Sequence, residues 1–165
     1  MCCLFGLIDY KRQLGGGRTG PVIRALASES EARGTDAAGI AYNSAGTLHI
    51  YKRPGPAHKL NLFIPEDAFA VMGHSRMTTQ GRAKVNRNNH PFAGKVPGTR
   101  IALAHNGVLY NDTALRRSRV LPDTKIETDS YVAVQLIEQQ GALTPASLRA
   151  MAEMVEGSFV YTVLD

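Results

Sequence analysis

Apolar stretches of β type stand at both ends of the chain, and this placement limits the folds that it can adopt. CCLFGLID (2–9) is predicted to form a strand buried on both faces, and GSFVYTVLD (157–165) to form another. Helical patterns lie between them, so the order favours layered α+β architecture over a regular strand–helix repeat. For 165 residues, we expect one domain spanning 1–165.

Two further strands are predicted to run from apolar residues directly into polar, glycine-containing ends. They are AFAVMGHSR (68–76) and RIALAHNG (100–107), and polar residues at the ends of buried strands often line a site. AAGIAYN (37–43) and TLHIYKR (47–53) are predicted to pair as a hairpin around 44–46. We interpret QGRAKVNRNNHPFAGKVPG (80–98) as a long loop, which in a compact domain is usually functional or disordered.

Three amphipathic helices are predicted from their apolar periodicity. One starts at Thr19, one covers TDSYVAVQLIEQQ (128–140) and ends at Gly141, and one covers TPASLRAMAEMV (144–155). The expected N-caps are Thr19, Thr128 or Asp129, and Thr144.

Charge and hydropathy argue against several function classes. The net charge is +5 and the pI about 9.4, but the densest basic run, LRRSRV (115–120), has no interleaved aromatics and fits a solvated face better than a nucleic-acid site. No stretch approaches the ~20 apolar residues of a membrane span. Gly6 and Asp9 interrupt the apolar N-terminus, which also lacks the basic region of a signal peptide. We therefore predict a cytoplasmic protein that binds neither nucleic acid nor membrane.

The only two cysteines, Cys2 and Cys3, are adjacent. A disulfide between neighbours closes almost no loop, and the five histidines lack metal-binding spacing, so no metal site is predicted. If Met1 is removed, Cys2 carries a free α-amine with a reference pKa of about 7.7–8.0, and a thiol beside its own amine can act as a nucleophile. The alternative is that Cys2 is a buried structural cysteine. When Cys2 is considered without the other motifs, this alternative is favoured, because free cysteine is among the most buried residue types.

Seven segments carry a resemblance to a known family. They are MCCLFG (1–6), RGTDAAGIAY (33–42), GHSRMTTQG (73–81), NNHPF (88–92), LAHNGVLYN (103–111), ETDSYV (127–132) and EGSFVYTVL (156–164). Together and in this order, they resemble the class II glutamine amidotransferases, which are N-terminal-nucleophile (Ntn) enzymes, and are similar to the glutaminase domains of glucosamine-6-phosphate synthase and amidophosphoribosyltransferase. The resemblance covers essentially the whole chain and implies the αββα sandwich of an Ntn hydrolase.

The resemblance also implies catalytic roles. Cys2 would attack the side-chain amide of L-glutamine and form a thioester, giving glutamate and ammonia for an acceptor that the sequence does not identify. Asn106 and Gly107 match the oxyanion hole, where an amide and a backbone N–H can face the developing charge. The alternative for His-Asn-Gly is a plain turn after a strand. No cofactor is implied.

Substrate-binding roles follow from the same resemblance. Arg76 matches the arginine that binds the α-carboxylate, with Thr79 assisting, because a guanidinium suits a carboxylate bidentately. Asp129 matches the carboxylate that binds the α-ammonium; the alternative is a helix cap, and the residue could serve as both. Such a pair would favour a free amino acid over a peptide. The expected supporting residues are Arg33, Asp36, His74 and His105.

The chain also departs from the family pattern. Cys3 stands where glycine is common, Met77 replaces an aromatic residue, and Gln80 replaces a histidine. The family's glutaminase domain usually continues with further strands, so we expect a sandwich that is incomplete at its C-terminal end. Its open edge would be covered by a partner chain or would be a stability liability. The candidate protein partners are a separate acceptor subunit and a second copy of this chain. The alternatives to glutamine hydrolysis are another amide substrate and a truncated, non-catalytic domain that binds glutamine or a partner.

Overall fold

A computed structural model describes residues 2–14 and 17–165, so the proposed removal of Met1 concerns a residue outside the described chain. The strands are β1 (Cys3–Ile8), β2 (Ala37–Ser44), β3 (Thr47–Pro54), β4 (Ala70–Arg76), β5 (Phe92–Val96), β6 (Thr99–Leu109) and β7 (Gly157–Leu164). The helices are α1 (Thr19–Ser30), α2 (Asp112–Ser118), α3 (Tyr131–Gln140) and α4 (Pro145–Met154). Short 3-10 turns cover Glu31–Arg33, Ala57–Lys59 and Asn86–Asn88.

Two antiparallel sheets form the centre of the fold. One has the order β1-β4-β2-β3 and the other β5-β6-β7. Small residues such as Ala41, Ala102 and Ala104 are fully buried where the sheets meet, so the two backbones can approach closely. Helix α1 packs on the first sheet, and α3 with α4 packs on the second. Four layers result, in the order helix, sheet, sheet, helix.

Two strand predictions are wrong in detail. The prediction that β1 is buried on both faces is wrong, because Gly6 and Ile8 are exposed, Ile8 to 58%, and no residue of this edge strand is fully buried. The prediction of a long loop at 80–98 is wrong in its second half, where β5 pairs with β6. Phe92 and Val96 are buried while Ala93 and Lys95 are exposed. That alternation has the period of a strand, but Gly94 obscures it in the sequence.

The observed helix ends confirm some of the capping predictions and contradict others. Thr144 caps α4 and forms a capping box with Ser147, as predicted. Gly141 ends α3 in the left-handed conformation, with φ of 71°. Thr19 does not cap α1, because it already lies inside the first turn. The cap of α3 is Ser130, without a side-chain hydrogen bond.

The hairpin of β2 and β3 is confirmed, with Ser44 paired to Thr47 across the turn.

The basic run at 115–120 is not simply a solvated face: Arg116 donates to Gln135 Oε1 at 2.6 Å and to the Thr128 carbonyl at 3.3 Å. In the described parts of the chain, every helix is too short or too polar to cross a membrane.

Candidate active site

Strand pairing brings the candidate nucleophile to the end of β4. Cys3 pairs with Ser75, so Cys2 lies beside the end of β4. The Cys2 thiol donates to the Met77 carbonyl oxygen, with 3.4 Å between Sγ and oxygen. An edge strand therefore fixes a residue that would fray at most chain termini.

A cavity of about 10 Å³ opens at this point. Its lining residues are Cys2, Arg76, Met77, Thr79, Gln80, His90, His105, Gly107, Thr128, Asp129 and Ser130. Five of the six catalytic and substrate-binding candidates thus share one cavity, together with the supporting residue His105. The sixth, Asn106, adjoins it in β6, with a buried Oδ1 that has no hydrogen-bond partner in the described chain.

The guanidinium of Arg76 is buried and held by neutral acceptors. Nη1 donates to Asn89 Oδ1 at 2.6 Å, and Nη2 donates to the carbonyl oxygens of Gln80, at 2.5 Å, and Gly81, at 2.9 Å. These contacts occupy three of the five N–H groups. Since none of these acceptors is charged, the positive charge stays available to an anionic ligand.

Asp129 is not the cap of α3. Its Oδ2 accepts a hydrogen bond from the backbone N–H of Leu109 at 2.7 Å, and Ser130 Oγ lies 3.4 Å from Oδ1. The carboxylate is 4% exposed. The contact with β6 holds Asp129 at the same cavity as Gly107, which precedes Leu109 by two residues.

Gly107 occupies a position that only glycine fits. Its φ is 149°, and a Cβ there would lie 1.8 Å from the Ser158 carbonyl oxygen and 2.8 Å from His105 Nε2. Substitution would strain the backbone and displace β7 from β6. The close pairing of β6 with β7 thus fixes the orientation of the peptide between Asn106 and Gly107.

The Cys2 thiol lies among opposing influences. Burial has the largest effect and raises the pKa of the thiol, and the charge of Asp129 also raises it. The hydrogen bond to Met77 and the charge of Arg76 lower the pKa. Because the net effect is a raised pKa, the thiol stays protonated at neutral pH and needs a base to become a nucleophile.

The two supporting residues near the end of α1 differ in their placement. Asp36 Oδ2 accepts from the Thr78 backbone N–H at 2.8 Å. The pKa of Asp36 is lowered mainly by its hydrogen bonds with Thr78, and also by the charge of Arg76. Arg33 is exposed on its 3-10 turn and does not line the cavity.

Three buried histidines lie at the cavity: His90 and His105 line it, and His74 packs against His90. His74 Nε2 lies 3.1 Å from the His105 carbonyl oxygen, and His105 Nδ1 lies 2.7 Å from Ser130 Oγ. The ring centroids of His74 and His90 are 4.2 Å apart. Burial lowers the pKa of His74 to about 3, and it also lowers that of His90 and His105. The three imidazoles are therefore neutral at pH 7.

Sequence reasoning missed His90, Asn89 and Lys52. His90 lines the cavity, and Lys52 Nζ donates to the carbonyl oxygen of Asn89, the residue that holds Arg76. The segment NNHPF at 88–92 was the available signal for two of them. In the described residues, no three His, Cys, Asp or Glu side chains are grouped so that they could hold a metal ion.

Curated relatives cover most of this chain. It is 34% identical over 142 residues to the glutamine–fructose-6-phosphate aminotransferase (isomerizing) of Bacillus thuringiensis subsp. konkukian, an alignment of 82% of this chain and 23% of the relative. It is 30% identical over 175 residues to the enzyme of the same name from Geobacillus kaustophilus, covering 100% of this chain and 27% of the relative. The chain thus spans about a quarter of the length of these relatives. No family model matches it.

The fold is similar to that of a solved structure, the glutamine phosphoribosylpyrophosphate amidotransferase of B. subtilis complexed with ADP and GMP. The TM-score is 0.72 at 21% identity, and the match covers 99% of this chain and 35% of that one. The expected αββα sandwich is confirmed by this likeness together with the two facing sheets.

Proposed function

This chain is homologous to the glutaminase domains of class II glutamine amidotransferases, and on that premise we propose that it hydrolyses the side-chain amide of L-glutamine. The observation that carries the proposal is the shared cavity of Cys2, Arg76, Gly107 and Asp129. A nucleophile and an oxyanion-binding peptide serve amide hydrolysis, and a cation and a carboxylate suit the two charged α-substituents of a free amino acid. Residues 1–165 would form the glutaminase domain.

The nucleophile in this proposal is the Cys2 thiolate. After removal of Met1, the α-amine of Cys2 takes the thiol proton, and Sγ attacks the amide carbon of glutamine. The tetrahedral intermediate collapses as the C–N bond breaks, and the proton passes to the departing ammonia. Water then hydrolyses the thioester to glutamate. The raised pKa of the Cys2 thiol supports a mechanism in which the α-amine of the same residue acts as the base.

The oxyanion would form next to Gly107. Its backbone N–H and the Asn106 side-chain amide are the proposed donors, and removal of one such donor typically costs about 100- to 1000-fold in kcat. The positive φ of Gly107 supports this role, because close packing against Ser158 holds the peptide in one orientation.

Recognition of the α-substituents would use Arg76 and Asp129. No carboxylate accepts a hydrogen bond from Arg76 among its described contacts, so its guanidinium can pair with the α-carboxylate. Asp129 suits the α-ammonium. Both groups are buried, so their interactions with ligand charges are screened less than they would be at the surface. A peptide-bound glutamine lacks both charges and would bind poorly.

The size of the cavity adds a requirement. About 10 Å³ holds roughly one water, so glutamine enters only if part of the lining moves. Met77 is 48% exposed and belongs to the segment 77–81 that connects β4 to the following turn. We propose that this segment opens to admit glutamine and closes again over it.

The ammonia acceptor would be a separate subunit or domain. Ammonia released at Cys2 is useful only if an acceptor enzyme captures it, and in this proposal the partner binds near the cavity. A second copy of this chain is the other candidate partner.

Intact mass with a glutamine analogue tests the proposal. Protein is treated with 6-diazo-5-oxo-L-norleucine, and glutamate release from glutamine is measured in parallel. We expect a chain that lacks Met1 and gains one adduct on Cys2. Cys3→Ala is the matched control and should still be labelled, whereas Cys2→Ala should not.

Other results would identify the alternatives. A processed chain that is neither labelled nor active on glutamine would contradict the proposal. Activity on a different amide would assign another amidohydrolase reaction, and binding of glutamine without turnover would assign a non-catalytic domain.

A further inference from the structure

We infer that Lys52 and Asn89, which do not line the cavity, are positioning residues that orient Arg76 for the α-carboxylate of the substrate. The inference rests on the proposed function and adds two residues that none of the motifs assigns to substrate binding. It starts from the contacts that determine where the Arg76 guanidinium points.

Asn89 contacts the guanidinium directly. It is fully buried, and its Oδ1 accepts from Arg76 Nη1 at 2.6 Å. Its Nδ2 donates to the Ala83 carbonyl at 2.8 Å and to Asn86 Oδ1 at 3.3 Å. Because Nδ2 has two acceptors, the amide cannot flip without losing both, so Oδ1 stays turned towards Arg76.

Lys52 holds the backbone of the same residue. Its Nζ donates to the Asn89 carbonyl oxygen at 2.5 Å and lies 4.9 Å from the centroid of the Phe92 ring. In return, Asn86 Nδ2 donates to the Lys52 carbonyl oxygen at 2.9 Å. Two hydrogen bonds thus join β3 to the turn that carries Asn89.

Close packing allows this arrangement. Gly39 of β2 pairs with Lys52, and a Cβ at Gly39 would lie 2.4 Å from the His90 carbonyl oxygen and 2.6 Å from Lys52 Cβ. The segment 89–91 therefore rests directly on the hairpin of β2 and β3. A displacement of Asn89 would be transmitted to Arg76.

The chemistry of the contacts distinguishes positioning from simple packing. Lys52 is partly buried, and burial, reinforced by the charge of Arg76, lowers its pKa to about 8. A cation in such a place costs stability unless it is paired with an anion, and its described hydrogen-bond partner is a neutral carbonyl. A methionine would fill the same space at a lower cost. What it could not do is hold the Asn89 peptide.

The test uses steady-state kinetics of the Met1-processed enzyme with glutamine. We expect Lys52→Met to raise KM about tenfold and to change kcat less than about twofold, because binding of the carboxylate is lost in ground and transition state alike. Lys52→Arg, which keeps the donor, should restore KM. Lys59→Met is the matched control on an exposed turn and should behave as the parent.

A second variant and a second substrate make the test specific. Asn89→Asp is nearly isosteric and places a carboxylate against Arg76, so we expect KM to rise about 100-fold as the charge of Arg76 is neutralised. The parent should prefer glutamine over its α-carboxamide, and Lys52→Met should reduce that preference about tenfold.

The outcomes separate the two ideas. An active parent with parental KM in Lys52→Met, or with equal losses for both substrates, overturns the positioning role and leaves glutamine hydrolysis intact. A parent that releases no glutamate from glutamine overturns the proposed function, and the positioning role with it. A thermal unfolding midpoint of Lys52→Met far below that of Lys59→Met would assign Lys52 to structure instead.

Discussion

His74 Nε2 lies 3.1 Å from the backbone carbonyl oxygen of His105. The hydrogen bond joins β4 of one sheet to β6 of the other, at the peptide that leads into Asn106. His74 is also two residues from Arg76. One side chain thus ties the candidate oxyanion hole to the strand that carries the candidate carboxylate-binding residue.

Replacement of His74 by phenylalanine keeps a ring of similar size and removes the donor. We expect kcat for glutamine to fall about tenfold and KM to change less than about twofold, because the oxyanion peptide loses its anchor. Steady-state glutaminase kinetics provide the measurement. A rise in KM at constant kcat would instead indicate that His74 positions Arg76 for substrate binding.

Gly107→Ala tests the close approach of β7 to β6. We expect a loss of about 3 kcal/mol or more in the free energy of unfolding, together with loss of glutaminase activity, because the new methyl group would collide with backbone. Gly98→Ala is the control: its φ is 85°, but nothing lies within 4 Å of its Cβ position. Strain alone there should cost about 1–2 kcal/mol. Similar losses in urea titrations of both variants would refute the steric argument.

Stability should decline on mild acidification because buried histidines resist protonation. Burial lowers the pKa of His74 to about 3 and that of His90 well below its usual value. The unfolded chain therefore binds more protons than the folded one below pH ~6.5, so the free energy of unfolding decreases as pH falls, by up to about 1.4 kcal/mol per pH unit for each histidine. Carboxylates with lowered pKa values, such as Asp36 and Glu127, act in the same direction only below about pH 4.5.

Urea unfolding at pH 7 and pH 5 measures this effect. Because His105 also has a lowered pKa, His90→Phe should remove about a third of the decrease between the two pH values, whereas His49→Gln, at an exposed position, should leave it unchanged. Equal stability at both pH values in the parent would contradict the neutral state of the buried cluster.

Asp36→Asn weakens the support of the segment after β4. The carboxylate accepts from the Thr78 N–H at 2.8 Å, and the neutral amide is a weaker acceptor, so we expect KM for glutamine to rise about fivefold with kcat largely retained. Asp67→Asn is the matched control, because Asp67 accepts from the Ala45 N–H at 2.7 Å in the turn between β2 and β3. Kinetics that change equally in both variants would show that Asp36 has no special part in glutamine binding.

Local sequence signals predicted the elements better than the contacts between them. Thr144 and Gly141 were correctly placed because caps and left-handed ends depend on a few neighbouring residues. Asp129 has the same local signal as a cap, yet its carboxylate binds Leu109, which lies 20 residues away. A nearby pattern cannot reveal a partner at that distance.

The site shows the same division. The resemblance placed Cys2, Arg76, Gly107 and Asp129, and they share one cavity. It did not indicate Lys52, which lies 37 residues from the Asn89 carbonyl that it binds. Such a contact depends on how β3 and the turn before β5 pack in three dimensions. The need for glycine at position 39 likewise becomes visible only once that packing is known.

The pairing of Cys3 with Ser75 has a consequence for timing during synthesis. Strand β1 has no partner until β4 has been made, some 70 residues later in the chain. At about 5–20 residues per second, translation takes roughly 4–15 seconds to cover that stretch. During this interval the N-terminus is accessible to an aminopeptidase. We therefore expect Met1, whose removal the proposed mechanism requires, to be cleaved from the nascent chain before β1 pairs with β4.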